Sequence, residues 1–99
     1  MTQQFQPDHL LRLPRPVGAV IGDWHLSEYV EDIYRTLTWS RHDVAGTMIA
    51  VEGAQYADGR IERHVVALPY CADFELTAAD ARRLAGALLD AAEVVDRLE

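Results

Sequence analysis

Between residues 35 and 69 the chain alternates apolar and polar side chains with a period of two, and from residue 78 the period lengthens to that of a helix. The first region divides into three strands, about 35–41, 47–56 and 61–69. The loop His42-Asp-Val-Ala-Gly46 separates the first two, and Asp58-Gly59 separates the last two. Asp-Gly is the signature of a two-residue type I′ hairpin turn, which needs positive φ at both positions. With that pair at the tip, Tyr56 opposes Ile61, Gly53 opposes His64, Val51 opposes Val66 and Ile49 opposes Leu68. Setting Trp39 against Ile49 adds the first strand. One sheet face then carries Leu37, Trp39, Ile49, Val51, Val66 and Leu68 as a continuous apolar block.

The partner for that block is the C-terminal segment. Thr77-Ala-Ala-Asp80 reads as a capping box, with Asp80 in the place of the usual Glu or Gln. Ala78 to about Leu98 then runs without proline, and Ala81, Leu84, Ala85, Leu88, Ala92, Val95 and Leu98 form one apolar stripe. The sequence therefore predicts an α+β fold: a three-stranded antiparallel sheet with a long C-terminal helix, about 78–98, packed on one face.

The N-terminal third is less regular. Residues 26–37 carry Leu26, Tyr29, Val30 and Ile33 at helical spacing, with Ser27 placed to cap, so a short helix is predicted near 26–33. Residues 1–16 hold three of the four prolines and predict an extended arm, docked through Leu10, Leu11 and Leu13, ahead of a single domain over 17–99.

Composition narrows the function. A chain of 99 residues with 49% hydrophobic content is one globular domain. Sixteen acids against nine bases give a net charge of −7, and every base is arginine. That balance argues against direct nucleic-acid binding, which needs a concentrated positive patch. No apolar run is long enough for a membrane span. The N-terminal stretch lacks a secretory pattern, and Cys71 is the lone cysteine, so a cytoplasmic location is expected.

Candidate chemistry is sparse. Cys71 and His64 are separated by about 20 Å of extended strand, too far for a nucleophile and its base. His9, His25, His42 and His64 show none of the short spacings of metal ligands, so neither a metal nor another cofactor is expected. The carboxylates at Glu28, Glu31, Asp32, Asp73 and Glu75 lie in polar runs, and the glycines form no phosphate loop. One polar constellation stands out: Arg35, Gln55, Glu62 and His64 fall together at the hairpin end, with Gly53 leaving room beside the imidazole. The second sheet face, with Met48, Tyr56, Ile61 and Val65, is a candidate interface, too apolar to be left bare. Trp24, Trp39, Tyr29, Tyr34, Tyr56 and Tyr70 are available as anchors.

The stretches GAQYADGRIERHVV and LTAADARRLAGALLDAA resemble small uncharacterised proteins of GC-rich bacteria and their phages, which share a Gln-x-x-Asp-Gly hairpin followed by an Ala/Leu-rich helix. The resemblance covers roughly the C-terminal half and implies a fold, with no activity attached. The sequence thus points to a small non-enzymatic interaction or regulatory protein, homodimeric, of a kind phages also encode, with no membrane role. Two alternatives remain open at this stage. One is an acidic mimic of nucleic acid that occupies a basic partner; the other is a small-molecule binder or enzyme using Arg35, Glu62 and His64.

Overall fold

The computed structural model describes residues 7–98. In chain order these form α1 (Pro7–Arg12), β1 (Val20–His25), a single 3-10 turn (Val30–Asp32), β2 (Tyr34–Val44), β3 (Thr47–Tyr56), β4 (Ile61–Pro69) and α2 (Ala78–Leu98). The strands make one antiparallel sheet in the order β1-β2-β3-β4, so each lies beside its neighbour in sequence. The α+β class and the long terminal helix agree with the sequence pattern, but the sheet has four strands and not three.

The additional strand is β1, and its geometry explains why the pattern hides it. Ile21 pairs with Leu37 and Trp24 with Arg35, so the register shifts between them. A bulge absorbs the extra residue and puts the two inward side chains three positions apart, which erases the period of two. The helix predicted near 26–33 does not form. Its segment is a bend and the short turn at Val30–Asp32, after which Ile33 is fully buried.

The predicted extended arm is also corrected. Pro7–Arg12 is helical, with proline at the first position, where a missing N–H costs nothing. Pro14 and Pro16 fall beyond its end. Leu10 packs with Ile33 and Ala57, and Leu13 and Trp24 join them, whereas Leu11 is exposed. Residues 1–6 of the arm lie outside the described residues.

The β3–β4 turn changes the predicted pairing. Gly59 N–H donates to the Tyr56 carbonyl and Tyr56 N–H to the Arg60 carbonyl, both at 2.9 Å, so the loop holds Ala57, Asp58 and Gly59. With Gly59 at φ +94°, this is a three-residue loop ending in a glycine bulge, the alternative home of an Asp-Gly pair. One more loop residue moves β4 by one: Val51 opposes Val65, Gly53 opposes Arg63 and Ile49 opposes Ala67. Every β4 side chain thereby exchanges faces. Val65 turns toward α2, while Val66 and Leu68 turn away.

Asp58 fastens this loop. Its carboxylate accepts the Arg60 backbone N–H at 2.9 Å and Arg60 Nε at 3.0 Å. Those two bonds, backbone first, hold the Asp58 carboxyl below its ordinary value. A depressed folded-state pKa contributes stability above the unfolded value and loses it as pH falls through the folded one. An NMR titration of the Asp58 carboxyl should therefore give a midpoint below 3.8; a midpoint at or above it would contradict the stapled loop.

Between β2 and β3 a second bulge falls at Trp39. Thr38 opposes Glu52, but Ser40 opposes Val51, and Leu37 faces Gly53. The predicted Trp39–Ile49 pair does not form, yet Trp39 still packs in the cluster beneath α2.

Helix α2 starts as its sequence implies, with Thr77 Oγ1 accepting the Asp80 N–H at 3.1 Å. The Asp80 carboxylate turns instead to Arg83, at 3.4 Å. Leu84, Ala87, Ala91, Val94, Val95 and Leu98 pack on Ile49, Val51, Val65 and Trp39. The seat is rotated from the predicted stripe, leaving Ala81, Ala85 and Ala92 exposed and Leu88 37% exposed on one flank. The apolar arc of α2 is wider than one seat requires, so periodicity alone does not choose which part meets the sheet.

The result is a thin two-layer body measuring 60 × 29 × 15 Å. Its radius of gyration is 17.0 Å, against about 13 Å for a compact chain of this length. Its accessible surface is 7018 Å², against about 5,700 Å² for a compact monomer of this mass. Among the described residues no helix is long and apolar enough to cross a membrane.

Candidate functional site

The four predicted patch residues divide between the two sheet faces. Arg35 and Gln55 are paired in register on the α2 side, beyond the C-terminal end of that helix. Arg35 Nε donates to Gln55 Oε1 at 2.8 Å, and Gln55 Nε2 donates to the Pro14 carbonyl at 2.8 Å. The Arg35 guanidinium also lies 4.6 Å from the centre of the Trp24 ring. Both side chains are buried, and Arg35 Nη2 has no hydrogen-bond partner. Burial, and then the cation of Arg15, push the Arg35 pKa down, although a guanidinium stays charged at any ordinary pH. Together these groups tie the segment after α1 across the sheet. They are a structural clasp.

Glu62 and His64 stand on the other face, opposite Ala54 and Glu52, and are exposed. Glu62 accepts a bond from the Tyr56 hydroxyl at 3.0 Å, which holds the phenol above its ordinary pKa. The Arg35–Gln55–Glu62–His64 patch therefore does not assemble as one site, because the shifted hairpin register puts its β4 members on the opposite surface. The space predicted beside Gly53 is absent as well. The backbone of Glu62 and Arg63 occupies it.

The face opposite α2 has its own organisation. At the hairpin end, His25 stacks on Tyr34 with ring centres 4.6 Å apart and planes inclined by 11°. Tyr34 lies 6.2 Å from Tyr56, and the Arg60 guanidinium covers the other side of Tyr56 at 4.3 Å. The row crosses β1, β2 and β3 and reaches the start of β4. Toward the far end the same face carries Met48, Ala50, Val66 and Leu68, with Leu68 55% and Val20 75% exposed. Of the predicted interface residues, Met48 and Tyr56 are on this face, but Met48 is buried, as is its neighbour Ala50, and Tyr56 is half-buried. Ile61 and Val65 are not on it; the register shift places them on the α2 side. The place of His25 in the row was hidden from the sequence because the β1 bulge decides which way it points.

Two open clefts flank α2. One, of about 400 Å³, is lined by Ser40, His42, Asp43 and Asp90 together with Ala91 and Val94. Ser40 and His42 are residue types used in nucleophilic catalysis, and among the described residues no hydrogen bond joins their side chains. The second, of about 410 Å³, lies between Val17, Trp39, Arg63 and Arg97. Trp39 Nε1 donates to the Val17 carbonyl at 3.1 Å there, and the Arg63 guanidinium is 5.8 Å from the Trp39 ring centre. Cys71 is exposed in the loop before α2. Among the described residues no group of three His, Cys, Asp or Glu side chains is placed to hold a metal ion.

No protein-family model, curated protein or solved structure shows a significant match to this chain.

Proposed function

We propose that the chain is a small interaction or regulatory protein that works as a homodimer and presents its open sheet face to a protein partner. The observation that carries this reading is the uncovered face itself. A four-stranded sheet with α2 on one side leaves Leu68, Val20, Val66 and the His25–Tyr34–Tyr56 row toward solvent. Apolar side chains around stacked aromatics are the composition of interface anchors. The net charge of −7, with the exposed acid Glu62 and the half-buried Glu52 beside the row, favours a partner with a basic rim. The reading needs no catalytic group, and the clasp formed by Arg35 and Gln55 is spent on holding the fold.

The test pairs the native chain with Val66→Asp and Tyr34→Ala. The native protein is expected to capture a defined partner from host extract, and both variants to lose it with unchanged circular dichroism. If the folded variants retain the same partner, the open face is not the docking surface.

A further inference from the structure

We propose that the outer edge of β4, with the adjoining flank of α2, is the surface on which a second copy of this chain pairs antiparallel, extending the sheet across a two-fold axis. The inference deepens the homodimer part of the reading above and rests on it.

The backbone supplies the first argument. Tyr56 N–H bonds to the Arg60 carbonyl, and Tyr70 N–H bonds to the Gly46 carbonyl at 3.0 Å, with no register shift between these ends. In an antiparallel ladder this alternation turns the even-numbered residues of β4 toward β3. The N–H and C=O groups of Ile61, Arg63, Val65 and Ala67 therefore point out of the sheet, where no described strand meets them. Pro69 ends the row, at a position where its missing N–H would also have pointed outward.

The two sheet edges differ. β1 is six residues long and bulged, and it carries Asp23, which are the usual defences of an edge against pairing. β4 is nine residues long and unbulged; its first half carries Glu62, Arg63 and His64, and its second half is the run Val65-Val66-Ala67-Leu68. A long, regular edge with an apolar half is the kind that recruits another strand, and pairing centred on Val65 and Ala67 keeps the charged half toward its ends.

The flank of α2 continues this surface. The cleft lined by Ser40, His42, Ala87 and Asp90 shows which side of the helix faces β2. The opposite side, above the β4 edge, presents Ala81, Ala85, Leu88 and Ala92, with no charge among them. Strands about 4.8 Å apart across the axis bring the two α2 helices alongside each other. Alanines permit that approach, and Leu88 fills between them. Over its whole surface the chain exposes about 1,300 Å² more than a compact monomer, which leaves room for the about 800 Å² that a stable interface takes from each partner. A second copy fits because the edge is its own complement. Outward groups pair with outward groups, so only registers joining odd-numbered residues to odd-numbered residues are allowed.

The test combines sedimentation equilibrium with amide hydrogen exchange on the full chain. The native protein should sediment at twice 11.1 kDa. Its Val65 and Ala67 amides should exchange roughly 100-fold more slowly at high than at low protein concentration. Ala67→Pro removes an outward N–H and no intrachain bond, so it should give a monomer with native circular dichroism; Leu88→Glu should raise the dissociation constant at least tenfold. If the native chain is dimeric but both variants dimerise as tightly and those amides stay fast, the edge assignment is overturned and self-association stands. A native chain that is monomeric at every concentration overturns both. Should Ala67→Pro not fold, the native exchange pattern alone decides.

Discussion

Gly53→Ala is expected to cost the fold about 3 kcal/mol, the upper range of overpacking penalties, and to do so through backbone. A Cβ at this position would overlap the carbonyl oxygen of Glu62 outright, and it would lie 2.8 Å from that carbonyl carbon and 3.2 Å from Arg63 Cα. These are main-chain atoms of the neighbouring strand, so no rotamer change relieves the clash. β3 and β4 must separate, and with them the floor on which Leu84, Ala91 and Leu98 pack. For a small domain with about 5–15 kcal/mol of total stability, that loss is large. Gly86→Ala is the matched control. It lies inside α2 with nothing within 4 Å of an added Cβ, so helix propensity should raise stability by about 1 kcal/mol. Urea unfolding followed by circular dichroism reads both. Equal effects of one sign would show that strand contact at Gly53 is looser than described.

Gln55→Ala is expected to have the second largest effect, about 3 kcal/mol, because it strands two groups at once. Arg35 Nε loses its acceptor within a buried environment where Nη2 already lacks one, and the Pro14 carbonyl loses its donor. The segment after α1 should then lift from the sheet, exposing Leu10 and Leu13. Limited trypsin digestion after Arg12 should accelerate more than global instability accounts for. Gln55→Glu separates the two roles. It keeps an acceptor for Arg35 but cannot donate to Pro14, so the segment should loosen while most of the global stability remains. Equal protease resistance in the native protein and both variants would remove the clasp from the account.

The behaviour of Gln55 shows where sequence reading succeeded and where it failed. The strands predicted at about 35–41, 47–56 and 61–69 and the helix from Ala78 were legible because period and capping residues agree there, although the first runs on to Val44 through residues read as loop and turns at Ala45-Gly46. Ile49 and Val51 were placed correctly under α2, and Trp39 joined them although its pairing was different. What periodicity could not supply was loop length. Asp-Gly fits a two-residue turn and a three-residue loop equally, and the choice between them decides the face of every β4 side chain. The candidate patch depended on that choice, so His64 and Glu62 were assigned to the surface of Arg35 when they stand behind it. The bulges at Ile21–Trp24 and at Trp39 broke the same rule a second way. Gln55 itself looked like a binding group because a buried amide and an exposed one have the same letter; only the Pro14 carbonyl, 41 residues earlier, reveals its use.

The strand order bears on how the chain reaches this structure. Because each strand lies beside its predecessor, the sheet can zip from short loops, the arrangement that closes fastest. The bond from His9 Nε2 to the Ala57 carbonyl, at 2.7 Å, instead spans 48 residues, and the Ala57 N–H to Ile33 carbonyl bond ties the same hairpin tip to the start of β2. Those links can close only once the hairpin has given them a tip to grip. The segment before β1 is thus seated by groups that lie far along the chain, so its anchorage depends on a hairpin to which it contributes no strand.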